Sequence, residues 1–268
     1  MKGRLLATLG LAVIIAATGA YASIPALAPP VIQPVDFIRK LAFVHGERMV
    51  FRFGWNDIPA AEMSIVTRRE LLKGRPVFHY QGAAETLSHV RWLYPLSDRV
   101  EATLDAQSLD PVHYALYQDE NGVQTATTVV RSAGDNKLTG FRVGSAQKES
   151  TVQVERDGDY DPVTIAYLAR SVPCEVGQAY SYKVFDGRYQ YVLTLTVERR
   201  ETIRIKAGTY KALRIRPSIV NLSKPDGPRK VKQATLWVSD DDRRVPLRVE
   251  SEVFFGKVYG ELVAYSAK

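Results

Sequence analysis

The tightest gathering of chemically active side chains is Asp240-Asp241-Asp242, followed directly by Arg243 and Arg244, within ATLWVSDDDRRVPLRVES at residues 234–251. Three carboxylates in a row invite a cation or acid–base chemistry. A calcium loop, however, sets its acidic ligands at alternate positions and turns the chain at a glycine, because contiguous side chains diverge and cannot all meet one ion. This run has neither feature. Apolar residues alternate on both sides, Leu236 and Val238 before it and Val245, Leu247 and Val249 after it. The acids are therefore expected in a turn between paired strands, where Asp side chains bond nearby backbone N–H groups and the two arginines offset their charge. The four histidines, His45, His79, His89 and His113, include no pair at i,i+2 or i,i+4, so no zinc signature is present. No G-x-S-x-G elbow, phosphate-binding loop or G-x-G-x-x-G occurs. Cys174, the only cysteine, reads as a small buried hydrophobe. No catalytic residue, metal site or cofactor is expected, and a hydrolase with a site assembled from distant residues is the weakest of three functional readings.

Two other groupings suit binding. Phe51, Phe53, Trp55, Trp92, Tyr182, Tyr191 and Trp237 could line an apolar cavity, or equally fill a core. Arg229, Lys230 and Lys232 in GPRKVK, with Arg199, Arg200, Arg204 and Lys206 in ERRETIRIK, could present a patch to an anionic partner, or form a solvated strand face with a polar loop.

These residues need a scaffold. The chain has 268 residues, of which 46% are hydrophobic and 24% charged, a makeup able to bury a full core. Residues 1–22 read as a secretory signal peptide: Lys2 and Arg4, an apolar run from Leu5, then Ala20-Tyr21-Ala22 with cleavage expected before Ser23. An uncleaved membrane anchor is the competing reading, since the apolar run nearly reaches a spanning length. Residues 23–36, with Pro25, Pro29, Pro30 and Pro34, read as an extended tether. Residues 37–268 are expected to form one domain. One cysteine allows no internal disulfide, so that domain must be stabilised by its core. The net charge of +7 is a mild excess.

Period-two alternation dominates, which marks antiparallel sheet. Met49, Phe51, Phe53 and Trp55 alternate with Arg48, Val50 and Arg52; turns are expected at Lys73-Gly74-Arg75-Pro76, Asn121-Gly122 and Asp186-Gly187, the last followed by Tyr189, Tyr191, Leu193, Leu195 and Val197 on one face. The clear helix signal is DYDPVTIAYLARSV, with Asp161 capping and Pro162 in the first turn. The segment TLSHVRWLYPLSD fits helix or irregular chain. So many consecutive strands must curl or close, and the expected fold is mainly β: a strongly curved antiparallel sheet or half-barrel with one short helix packed against it.

Four stretches, in this order, resemble the bacterial exported envelope family known as domain-of-unknown-function family 3108: GERMVFRFGWNDIPAAEMSI, DPVTIAYLAR, IKAGTYKALRIRP, and ATLWVSDDDRRVPLRVESEVFFGKVYGEL. The resemblance implies an exported, mostly β protein with no assigned activity or catalytic residues. Residues 237–249 are also similar to a strand–acidic turn–strand block of periplasmic lipoprotein carriers, whose curved sheets hold acyl chains, a likeness of fold alone. The expected role is a non-enzymatic periplasmic or secreted envelope protein that binds a lipid-like molecule on a concave β surface. The alternative is an assembly module that binds a protein or anionic polysaccharide through a sheet edge or its basic loops. Nucleic acid is not an expected partner, and membrane contact is expected only through the signal segment if it stays uncleaved.

Overall fold

Alternating side chains make strands, and the turn residues fix where each strand reverses. The computed structural model describes residues 34–131, 137–145, 148–155, 158–223, 233–252 and 256–267. The signal segment, most of the tether, and Arg229, Lys230 and Lys232 lie outside the described residues. In chain order the strands are β1 (Arg48–Trp55), β2 (Ile58–Leu72), β3 (Arg75–Thr86), β4 (Leu96–Asp105), β5 (Pro111–Glu120), β6 (Val123–Arg131), β7 (Lys137–Val143) and β8 (Glu149–Glu155). Helix α1 (Pro162–Leu168) follows, then β9 (Ala179–Phe185), β10 (Gln190–Ile205), β11 (Gly208–Asn221), β12 (Gln233–Ser239), β13 (Pro246–Glu252) and β14 (Lys257–Ser266). They form one 14-stranded sheet in the order β8-β7-β6-β5-β4-β3-β2-β1-β14-β13-β12-β11-β10-β9.

Local chemistry explains the hairpins. Lys73-Gly74 and Asn121-Gly122 both take positive φ, the two-residue geometry whose twist matches the strands it joins. Asn56-Asp57 does the same between β1 and β2. The first of these turns is tighter than the sequence suggests: Leu72 pairs with Arg75, so Pro76 belongs to β3 and not to the turn. At Asp186-Gly187 the aspartate accepts from the backbone N–H groups of Arg188 and Tyr189, at 2.8 and 2.7 Å. β7 and β8 are strands that the alternation does not single out, and the ETIRIK segment is the far end of the long β10. The segment 88–93 forms turns and not a regular helix.

Curvature follows from what touches what. Helix α1 packs on β4 and on β9, which stand nine places apart in the strand order, so the sheet bends round it. A flat sheet could not bring them together. Because sheet encloses the helix, six of its seven residues are buried, and its apolar character runs almost all round. Asp161 caps it as expected, accepting from the N–H groups of Val163 and Thr164 at 2.9 Å each. The sheet is curved but not closed, with β8 and β9 as its two ends.

Across that seam the chain comes close to itself. A Cβ on Gly140 in β7 would lie 2.2 Å from the carbonyl oxygen of Gly187 in the β9–β10 turn. The absence of side chains at both positions lets the two edges of the curl approach. Gly140→Val should therefore force the seam apart and cost about 1–3 kcal/mol, which thermal unfolding will register as a lowered midpoint; an unchanged midpoint removes the seam contact from the account.

Candidate functional site

Between α1 and the concave side of β9–β13 lies a cleft whose walls are almost entirely apolar. The sheet supplies them by alternation. Tyr191, Leu193 and Leu195 face inward from β10, and their neighbours Ile215, Pro217 and Ile219 do so from β11. Leu236, Val238, Pro246 and Val249 extend the surface across β12 and β13, and Ile165, Ala166 and Ala169 close it from the helix side. The space between the walls, with the open solvent at its mouth, is about 900 Å³, of which about 90 Å³ is open to the centre of a water-sized body. It is a narrow slot. The polar residues on its wall are few: Arg170, Arg244, Cys174 and Tyr191, which bears a hydroxyl. That hydroxyl is buried and has no hydrogen-bond partner among the described residues. Burial pushes the Cys174 thiol up despite the nearby Arg244, so the sulfur sits there as a neutral group.

One end of the slot is fixed by a buried ion pair. Arg170, in the 3-10 turn after α1, donates to both carboxylate oxygens of Glu47 at 2.9 and 2.8 Å, and the two side chains are 4% and 0% exposed. The guanidinium also donates to the carbonyls of Ala42 and Arg243, at 3.3 and 2.9 Å. Tyr265 in β14 donates to Glu47 at 3.1 Å. In return Arg244 donates to the carbonyl of Arg170 at 3.1 Å. Helix end, N-terminal segment, β12–β13 turn and β14 thus meet at one pair. Sequence reasoning missed it, although Glu47, Arg170 and Arg243 sit in three of the four stretches that carry the family resemblance.

The acidic run is the tip of the β12–β13 hairpin. Asp241 accepts from the backbone N–H groups of Arg243 and Arg244 and from Ser239 Oγ. Asp240 pairs with Arg200 at 3.0 Å, and the exposed Asp242 with Lys40 at 3.2 Å. The three carboxylates have separate partners, and no grouping of three or more metal-binding side chains occurs among the described residues.

The seven aromatic candidates do not assemble. Tyr191 lines the slot. Phe51, Phe53 and Tyr182 are buried in the core. Trp237 is buried too but faces away from the slot, donating to Glu201 at 2.5 Å beneath the guanidinium of Arg214. Trp55 shares the parity of Phe51 and Phe53 but ends its strand at a turn and is 40% exposed; Trp92 is 82% exposed. The slot is instead built mostly from aliphatic residues, whose alternation was visible but whose convergence was not. Among the histidines, His79 and His113 are brought into line across Thr103 of β4, and His79 lies 3.5 Å from Glu70.

A second inward polar group sits on β4 and β5. Burial raises the carboxyls of Asp98, to about 6, and Glu120, to about 7, where the neighbouring Asp98 adds to the rise. Tyr94, beside Glu120 at 3.5 Å, is pushed up to about 12, by burial first and then by that carboxylate.

The sequence matches the DUF3108 profile, described as a protein of unknown function, over residues 50–263. The chain belongs to the DUF3108 family. No curated protein matches this DUF3108 member in sequence. Among solved structures, a β-barrel-like protein of domain of unknown function DUF1849 from Brucella abortus is similar, with a TM-score of 0.52 and 10% identity over 86% of this chain and 99% of that one. That likeness shows the fold alone. A protein from Bacteroides fragilis NCTC 9343, described as exported and YmcC-like in fold, matches with a TM-score of 0.39 and 8% identity over 86% and 99% of the two chains. A protein described as a lipoprotein, from Parabacteroides distasonis ATCC 8503, gives 0.35 and 12% over 84% and 98%. Among the described residues no helix of the DUF3108 chain is long and apolar enough to cross a membrane.

Two outcomes follow from the buried charges. Glu47→Gln leaves the Arg170 guanidinium buried without its counter-charge and should cost about 3–5 kcal/mol in chemical denaturation, whereas Glu47→Leu combined with Arg170→Met should recover much of that loss. A single variant as stable as the parent would show that the pair holds nothing. For Asp98 and Glu120 the folded state binds the proton more tightly than the unfolded chain, whose carboxyls titrate near 3.8 and 4.5. Their stabilising contribution is full below those values and is lost as pH rises through about 6 to 7. Asp98→Asn with Glu120→Gln should therefore flatten the fall in stability measured from acid to neutral pH.

Proposed function

We propose that this DUF3108 protein is an exported envelope protein that grips an apolar or amphipathic molecule in the slot between α1 and β9–β13, and that binding, not catalysis, is its activity. The observation that carries this reading is the wall itself. One helix and five strands turn aliphatic side chains toward the same narrow opening, and several of them, including Ala166, Leu193, Leu195 and Leu236, remain half-buried. Apolar surface held in a concave, partly open site is favourable to cover with apolar ligand. The family resemblance, the secretory leader read from residues 1–22 and the lack of any recognisable catalytic motif support the same reading.

A second reading, an assembly module, draws support from β8. That strand has no neighbour on its outer side among the described residues, and Phe141 and Val143 are exposed on the strand beside it. An edge of this kind can accept a strand from another chain. Of the basic patch, Arg229, Lys230 and Lys232 lie outside the described residues, while Arg199 pairs with Glu201 and Arg200 with Asp240.

The slot is tested by filling it. Ala166→Trp places an indole where a small half-buried side chain now leaves room, and should weaken binding of the uncharged probe N-phenyl-1-naphthylamine at least about tenfold while the thermal midpoint is kept. Should the tryptophan prevent folding, Leu195→Lys offers the same test by placing a charge on the opposite wall. Undiminished probe binding in a folded variant would place the ligand elsewhere.

A further inference from the structure

The slot is apolar along its length but not neutral at its end. Of the two guanidinium groups on its wall, Arg170 is already committed to Glu47. Arg244 is not so committed. Its guanidinium donates to the backbone carbonyl of Arg170 and lies in hydrogen-bond contact with the neutral Cys174 thiol, and every acid of the adjoining turn has another partner: Arg200 for Asp240, the turn's own donors for Asp241, and Lys40 for Asp242. A half-buried cation without a counter-charge among the described residues therefore borders a cavity whose walls are otherwise almost entirely apolar.

Its bond to the Arg170 carbonyl, at 3.1 Å, keeps it there. An arginine at a hairpin tip ordinarily extends into water. Here Arg244 adopts φ of +41°, in the left-handed region that a non-glycine side chain seldom enters, and Asp241 holds that turn by accepting the Arg244 N–H at 3.0 Å.

The width and length of the slot narrow the ligand further. The space is narrow, with about 90 Å³ open to the centre of a water-sized body. The inward rows at residues 191–195 and 215–219 each span five residues, about 13 Å of wall over four steps at the rise of a strand. Long and thin, such a space suits one extended hydrocarbon chain.

Resting on the reading that the slot binds an apolar chain, we infer that its ligand is a single-chain anionic amphiphile whose tail lies along β10 and β11 and whose head, a carboxylate or phosphate, is held by Arg244. Both head types accept the guanidinium fork, so they share the chemistry. Titrating the delipidated full-length protein with laurate, dodecyl phosphate and dodecanol at pH 8, by displacement of N-phenyl-1-naphthylamine, separates the parts. Both anions should bind at least about tenfold more tightly than the alcohol of equal chain length. Arg244→Gln should bring them down to the alcohol's level and leave the alcohol unchanged, and Arg244→Lys should restore part of the difference. A preference for one anion, with both above the alcohol, upholds the inference and names the head. Equal binding of dodecanol and the anions to the parent protein overturns it while leaving the apolar slot in place, as does an equal loss for all three ligands in both Arg244 variants. If none of the three binds the parent protein, the slot reading fails with it. Should Arg244→Gln not fold, the comparison of laurate with dodecanol on the parent protein still decides.

Discussion

A carboxylate and a guanidinium removed from water are tolerable only when each has its full complement of partners, and Glu47 and Arg170 are placed where four parts of the chain can supply them. The pair contributes little by mere attraction, since desolvating two charges costs nearly what their contact returns. Its effect is positional. An arginine at the end of α1 has one place where its donors are satisfied, so the helix can enter the curl of the sheet in one orientation and to one depth. Ser171 reinforces this by accepting the Ala42 N–H at 2.9 Å.

That fixed depth makes an empty space between helix and sheet tenable. Toward β3 and the segment before β1 the helix is packed tightly, with Tyr167 against Tyr80 and Phe43 at 4.2 and 5.4 Å between ring centroids. Toward β9–β13 it presents Ala166 and Ala169, too small to reach the opposite wall. A helix free to slide would collapse onto the aliphatic rows and bury them. Held at one end by Arg170 and at the other by Tyr160, whose backbone pairs with Lys183 and Phe185 of β9 at 3.0 and 2.9 Å, it stands off and leaves the slot.

Much of this was legible in residue order. Alternation predicts the strands, Asn-Gly and Asp-Gly predict their turns, and Asp161-Pro162 marks the start of the helix, because each of these signals acts within a few residues. The acidic tip of the β12–β13 hairpin was readable for the same reason. What could not be read is convergence. Glu47 and Arg170 are far apart in sequence, and nothing local distinguishes a buried Arg170 from a solvated one. The aromatic residues misdirect in a similar way: parity places Trp55 with Phe51 and Phe53, but only the end of the strand shows that it escapes to solvent. Leu193, Leu195, Pro217 and Leu236 have ordinary strand chemistry, and the slot they form depends on how far the sheet bends.

The pairing of β1 with β14 joins the first strand of the sheet to the last, and every other neighbouring pair of strands is consecutive in the chain. Ribbons of neighbouring strands can form as soon as each hairpin exists, but the central junction closes a loop of roughly two hundred residues, an entropic step that must wait for β14 to appear. Until then the polypeptide is two separate meanders with their middle edges bare. A protein built this way completes its curl, and with it the wall that surrounds α1, only when its final strand is available to join the two halves.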